Sequence, residues 1–117
     1  MTLLNEGLNR IRTLVATDIA QGQVGSGTAL PAASDTDLIT PIASTLDGVT
    51  SVTANSDKTV NIQFTVPSTV ANGSAVNEFQ IKLSDANSIL RKVHETIDKN
   101  DTKEIRYFTS LFVGQRK

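Results

Sequence analysis

Lys58-Thr59-Val60-Asn61-Ile62-Gln63-Phe64-Thr65-Val66 decides the fold class. Val60, Ile62, Phe64 and Val66 alternate with Thr59, Asn61, Gln63 and Thr65. A period of two places the first set on one face of a β-strand and the polar set on the other. Pro67 ends the strand, since it has no N–H to give to a ladder, and Asn72-Gly73-Ser74 makes the next turn.

Reading outward, Ala75, Asn77, Phe79, Ile81 and Leu83 form a second strand, with Phe79, Ile81 and Leu83 as its core face. Ser84-Asp85-Ala86-Asn87-Ser88 is turn chemistry and joins that strand to Ile89–Ile97 as a hairpin. Asp98-Lys99-Asn100-Asp101 turns again, and Glu104–Val113 is the last strand. There Tyr107, Leu111 and Val113 lie on one face while Phe108 and Phe112 lie on the other. Apolar groups on both faces predict a strand covered on both sides, by the helix on one and by strands or another subunit on the other. Upstream, Leu38-Ile39-Thr40 running into Pro41 reads as an edge strand or a strand end. Asp47-Gly48 signals a turn, after which Val49 and Val52 begin a short strand.

The N-terminal segment, residues 1–21, reads as an amphipathic helix. Leu4, Leu8, Ile11 and Val15 recur at helical spacing and Ile19 continues the stripe. Thr2 is its expected N-cap and Gly22 its expected stop. Gly7 inside the helix costs about 1 kcal/mol relative to Ala, so packing must hold the helix in place. The stripe needs a partner, either its own sheet or a neighbouring subunit, and own-sheet packing is preferred. Residues 22–37, with Gly25-Ser26-Gly27-Thr28 at their centre, read as a Gly/Ser/Thr-rich linker to a β domain over 38–117.

The chain has 117 residues, enough for one domain. Four Phe, one Tyr and no Trp leave the core to Leu, Ile and Val, and the many Ser, Thr, Asn and Asp suit strands and turns. A net charge of -1 argues against a general nucleic-acid binder. No cysteine is present, which removes disulfides, thiolate metal sites and thiol nucleophiles together. No apolar run approaches the roughly 20 residues of a membrane span, and Met1–Glu6 has no signal-peptide character, so a soluble protein made in a cytoplasm is expected. Between residues 21 and 81 the only charged groups are Asp35, Asp37, Asp47, Asp57, Lys58 and Glu78, whereas eight Lys or Arg and five Asp or Glu follow from Lys82 onward. A weakly charged, hydroxyl-rich middle offers little resistance to the approach of another protein surface, and it is equally what a sheet with a wet polar face looks like.

Candidate chemistry is thin. His94 is the only histidine and reads as a surface or hydrogen-bonded structural residue. Asp35 and Asp37 form a DxD that could hold a divalent cation, but without the other ligands of a calcium loop an Asx turn is the simpler reading. Gly22, Gly25 and Gly27 suggest a phosphate loop only superficially, because Thr28-Ala29 follows where a Walker motif has Lys. Arg91-Lys92 and Arg116-Lys117 are too few for a nucleic-acid footprint. Asn72-Gly73-Ser74 and Asn100-Asp101-Thr102 match glycosylation acceptors, a pattern that arises often by chance and is idle in a prokaryotic or viral protein. No catalytic residue, cofactor or metal ligand is assigned.

The opening Leu4-Asn5-Glu6-Gly7-Leu8-Asn9-Arg10-Ile11, the glycine–threonine stretch running into Ser34-Asp35-Thr36-Asp37-Leu38, and Asn77-Glu78-Phe79-Gln80-Ile81 with Ser84-Asp85-Ala86-Asn87-Ser88-Ile89-Leu90 together resemble small virion proteins of tailed bacteriophages, of the tail-fibre, collar and neck-appendage type. Asn87-Ser88 departs from the glycine that such hairpins carry. The resemblance covers most of the chain and implies a non-enzymatic β-sandwich subunit that assembles on a virion in the host cytoplasm. Its partners would be other virion proteins and further copies of itself as a homo-oligomer, with no nucleic acid, membrane or cofactor.

The combined reading is a mainly β chain: an antiparallel β-sandwich or β-barrel-like domain with one N-terminal α-helix. Leu4, Leu8, Ile11, Val15, Phe108 and Phe112 are its candidate assembly interface. Alternatives are a capsid decoration protein and a receptor- or glycan-binding fibre module, which would show exposed aromatics for sugar stacking. A small enzyme has the least support.

Overall fold

The computed structural model describes residues 4–55 and 59–112. Helix α1 (Asn5–Asp18) is followed by seven strands: β1 (Ile19–Gly25), β2 (Asp47–Gly48), β3 (Ser51–Ala54), β4 (Thr59–Val66), β5 (Ala75–Leu83), β6 (Ser88–Asp98) and β7 (Ile105–Phe112). They form two antiparallel sheets, one ordered β2-β1-β5-β6 and the other β3-β4-β7. The fold is therefore mainly β and sandwich-like with a single N-terminal helix, as the sequence predicts.

The alternating stretch is β4, central in its sheet and paired with β7 from Thr59↔Phe112 to Val66↔Ile105. Its inward Val60, Ile62, Phe64 and Val66 are all buried and form the middle of the core with Val24, Val76, Phe79, Ile81 and Ile105 from the facing sheet and β7. Phe64, Phe79 and Tyr107 stack, with Phe79 and Tyr107 nearly parallel at 4.2 Å between ring centres. A chain with few aromatics has placed three of them in one column across both sheets, where each buries the most apolar area. In β5 the pairing register shifts between Val76 and Glu78. That bulge at Asn77 lets Val76 and Phe79 face inward although they are an odd number of residues apart.

Three expectations are corrected. The helix stops at Asp18 rather than running to 21, and Ile19 is already extended. Residues 19–25 pair with β5, so Gly22 is not a helix stop but a strand residue facing the Phe64 ring, where a Cβ would come within 2.6 Å. The stretch expected as a linker from 22 thus starts inside a sheet. Second, Leu38–Thr40 forms no strand; Gly25 and Pro41 make one isolated bridge. Third, the helix is not the main cover of the edge strand β7: Tyr107 and Leu111 pack on the core, while Phe108 and Phe112 are 69% and 52% exposed in the single chain. Among the described residues α1 packs chiefly against β3, β4 and β1 rather than β7. Lys58, Val113, Arg116, Lys117 and the expected cap Thr2 lie outside the described residues. Leu4 stands at the N-cap, with no side-chain cap.

Candidate functional sites: an exposed helix face, a strapped loop and a bare sheet face

The helix grazes the domain rather than lying flat on it. Leu8 and Arg12 are buried, and Val15 and Ala16 pack against the core. Arg12 also donates to Asn9 Oδ1 one turn earlier. Leu4 and Ile11, expected on the same stripe, are 74% and 38% exposed, and Leu14, which the sequence reading left out, is 55% exposed. At 100° per residue Leu4 and Ile11 sit on the rim of the packed face, and Leu14 lies further round with Gly7. Leu4, Gly7, Ile11 and Leu14 are spaced three, four and three apart, the rhythm of a coiled-coil seam. The six predicted interface residues therefore divide. Leu8 and Val15 serve the protein's own core, Leu4 and Ile11 face outward on the helix, and Phe108 and Phe112 face outward on β7.

The glycine-rich stretch after β1 is not a free tether but a strap bound across the outer face of the larger sheet. Its anchor is Glu78, fully buried on β5. Glu78 Oε2 accepts the backbone N–H groups of Gly27 and Thr40, both at 2.8 Å, and Oε1 accepts the N–H of Ile39 and the Arg91 Nε–H, both at 2.9 Å. Arg91 on β6 also bonds Asp35 at 3.2 Å and the Ala29 carbonyl at 2.7 Å. Gln80 donates to Asp37 at 2.7 Å and to Gln23 at 3.0 Å, and Asn77 donates to the Ser26 carbonyl. Burial alone would raise the Glu78 pKa. The four donors outweigh it, so the carboxyl is held below its ordinary range. Gly25 and Gly27 both lie against this carboxylate, where a Cβ would come within 2.5–2.6 Å of Oε2. The glycines let backbone reach a carboxylate, not a phosphate. Asp35 and Asp37 are likewise strap fasteners, Asp35 also accepting from the Ala32 N–H as a turn residue would. Among the described residues no group of three or more His, Cys, Asp or Glu is placed to hold a metal ion.

His94 bridges the two sheets at their open side, with Nε2 2.8 Å from the Tyr107 hydroxyl and Nδ1 2.7 Å from the Glu95 carbonyl. Burial pushes the Tyr107 pKa upward. Lys99, also buried, satisfies all three of its donors on Ser68 O, Asn72 Oδ1 and Asn100 O, and so ties two turns together.

The bare face belongs to the smaller sheet. Its register aligns Ser51, Gln63 and Phe108 in one row and Thr53, Asn61 and Ser110 in the next, all on the outer side. Ser110 donates to Asn61 Oδ1 at 2.6 Å. These two rows, with Lys92 reaching over from β6, line a hollow of about 380 Å³. Sequence reasoning saw the polar alternation of β4 but could not foresee that β3 and β7 would bring matching hydroxyls and an aromatic ring beside it.

Among the described residues no helix is long and apolar enough to cross a membrane. Comparison with family models, with curated proteins and with solved structures finds no match.

Proposed function

We propose that this chain is a non-enzymatic structural subunit of a tailed-bacteriophage virion, assembling through protein–protein contacts into the tail, collar, neck or fibre base. The motif resemblance supplies the virion context. The observation that carries assembly is the helix that anchors one face at home while presenting Leu4, Ile11 and Leu14 outward at coiled-coil spacing. Exposed large apolar residues in such a seam favour a second apolar helix as neighbour. The partners are further copies of the chain and adjoining virion proteins. Repetition in a ring or fibre multiplies contacts that are weak singly, so a seam of two heptads suffices.

The test is the mass in solution by light scattering across a concentration series, for the native chain and for an Ile11→Glu/Leu14→Glu variant. The native chain is expected as a discrete oligomer and the variant as a monomer with unchanged circular dichroism. A native chain that stays monomeric throughout, or a variant of unchanged mass, would overturn assembly through this face.

A further inference from the structure

We propose that the outer face of the β3-β4-β7 sheet is a binding platform for a neutral glycan, a second function on a surface distinct from the helix seam. Three observations carry it. The hollow of about 380 Å³ falls within the roughly 300–1,000 Å³ of small-molecule sites. Apart from Phe108, the aliphatic Ile62 and Lys92, the residues that line it carry hydroxyls and carboxamides, groups that both donate and accept hydrogen bonds. Sugar hydroxyls also do both, so such an array matches them in either sense, whereas an anionic ligand would require several cations. Phe108 projects into solvent at 69% exposure beside these groups, rather than into the core where an aromatic ring is worth most.

The two faces of a pyranose explain the combination. Its axial C–H bonds present a weakly positive, apolar patch that lies flat on the negative face of a phenyl ring. Its equatorial hydroxyls point sideways, toward where Gln63, Asn61 and Ser51 stand in the adjoining strands. Phe112 rises from the same face four residues along β7, about 13 Å from Phe108 at strand spacing, a span that a short oligosaccharide bridges. The register of three paired strands fixes all of these positions, so the platform exists before the ligand arrives and little ordering opposes binding. The occupant is a neutral saccharide chain rather than a protein, because the middle of the hollow is polar where a protein interface has its apolar centre.

The experiment is isothermal titration of the native protein with short oligosaccharides of glucose, mannose, xylose and N-acetylglucosamine, with polygalacturonate as the charged comparison. At least one neutral series should bind, and raised salt should leave that binding unchanged. Phe108→Ala should weaken it about tenfold or more and Gln63→Ala about three- to tenfold, the ranges expected for one stacking contact and one net hydrogen bond. Phe108→Trp should retain or strengthen binding, whereas Phe108→Leu, apolar but without a ring face, should lose it. Light scattering on Phe108→Ala separates this site from the assembly surface: an unchanged mass with lost sugar binding supports the platform. Absence of binding in every neutral series, preference for polygalacturonate that fades with salt, or loss of assembly in Phe108→Ala would each overturn it.

Discussion

Glu78→Gln is the sharpest test of how the strap is held. The substitution keeps shape and volume but replaces one carboxylate oxygen by an NH₂. Whichever oxygen is lost, two of the four donors that Glu78 serves then face another donor: Gly27 and Thr40 on one side, or Ile39 and Arg91 on the other. Leaving a buried donor without an acceptor costs about 1–3 kcal/mol each, more when the donor is charged, so a loss of about 3 kcal/mol is expected. For a domain of this size that lowers the melting temperature by about 10–15 °C. The pH dependence follows from the lowered Glu78 pKa. Between the folded and unfolded values the unfolded chain binds the extra proton, so stability rises with pH there. The contribution is fully present above the free glutamate range, near 4.3, and is lost as pH falls through the folded value. Glu78→Gln should lack that component. Urea denaturation at several pH values gives the energies, and hydrogen exchange should show faster exchange of the Gly27, Ile39 and Thr40 amides. A variant within about 0.5 kcal/mol of native with those amides still protected would refute the assignment of Glu78 as the anchor, since surface changes stay in that range.

Two further outcomes follow from backbone geometry. Gly22→Ala should destabilise by about 1–3 kcal/mol in urea denaturation, because its new methyl would fall within 2.6 Å of the buried Phe64 ring; a neutral effect would mean that β1 and β4 face each other differently. Ala86 holds the left-handed conformation (φ 69°) in the β5–β6 turn, so Ala86→Gly should raise stability by about 0.5–1 kcal/mol, and a loss would rule out that turn.

The parts of the fold legible in the sequence were those written in a short period. Val60 to Val66 alternate without a break, and the turns around Asn72-Gly73 and Ser84–Ser88 carry their own chemistry. The helix boundary was not legible because Ile19 satisfies both periods: it extends the helical stripe, and it is also the first buried residue of β1. The phase slip at Asn77 was hidden since a bulge is a pairing event, not a composition. Least visible was the strap. Its bonds run from backbone N–H groups to a carboxylate on β5, 38 to 51 residues away, and a lone Glu between Asn77 and Phe79 gives no hint of buried partners. For the candidate sites the sequence pointed to apolar residues on the helix and in β7, but only packing could separate Leu8 and Val15, which serve the core, from Leu4 and Ile11, which are exposed.

The strap has a consequence for the molecule as a building block. By lying over Glu78, Gln80 and Arg91 it upholsters one sheet with backbone, while the opposite sheet shows its strand surface to solvent. The protein thus has a back and a front. A subunit with that sidedness can be set into a larger shell in only one orientation without burying its open face, and every copy set the same way would turn the same surface toward the outside.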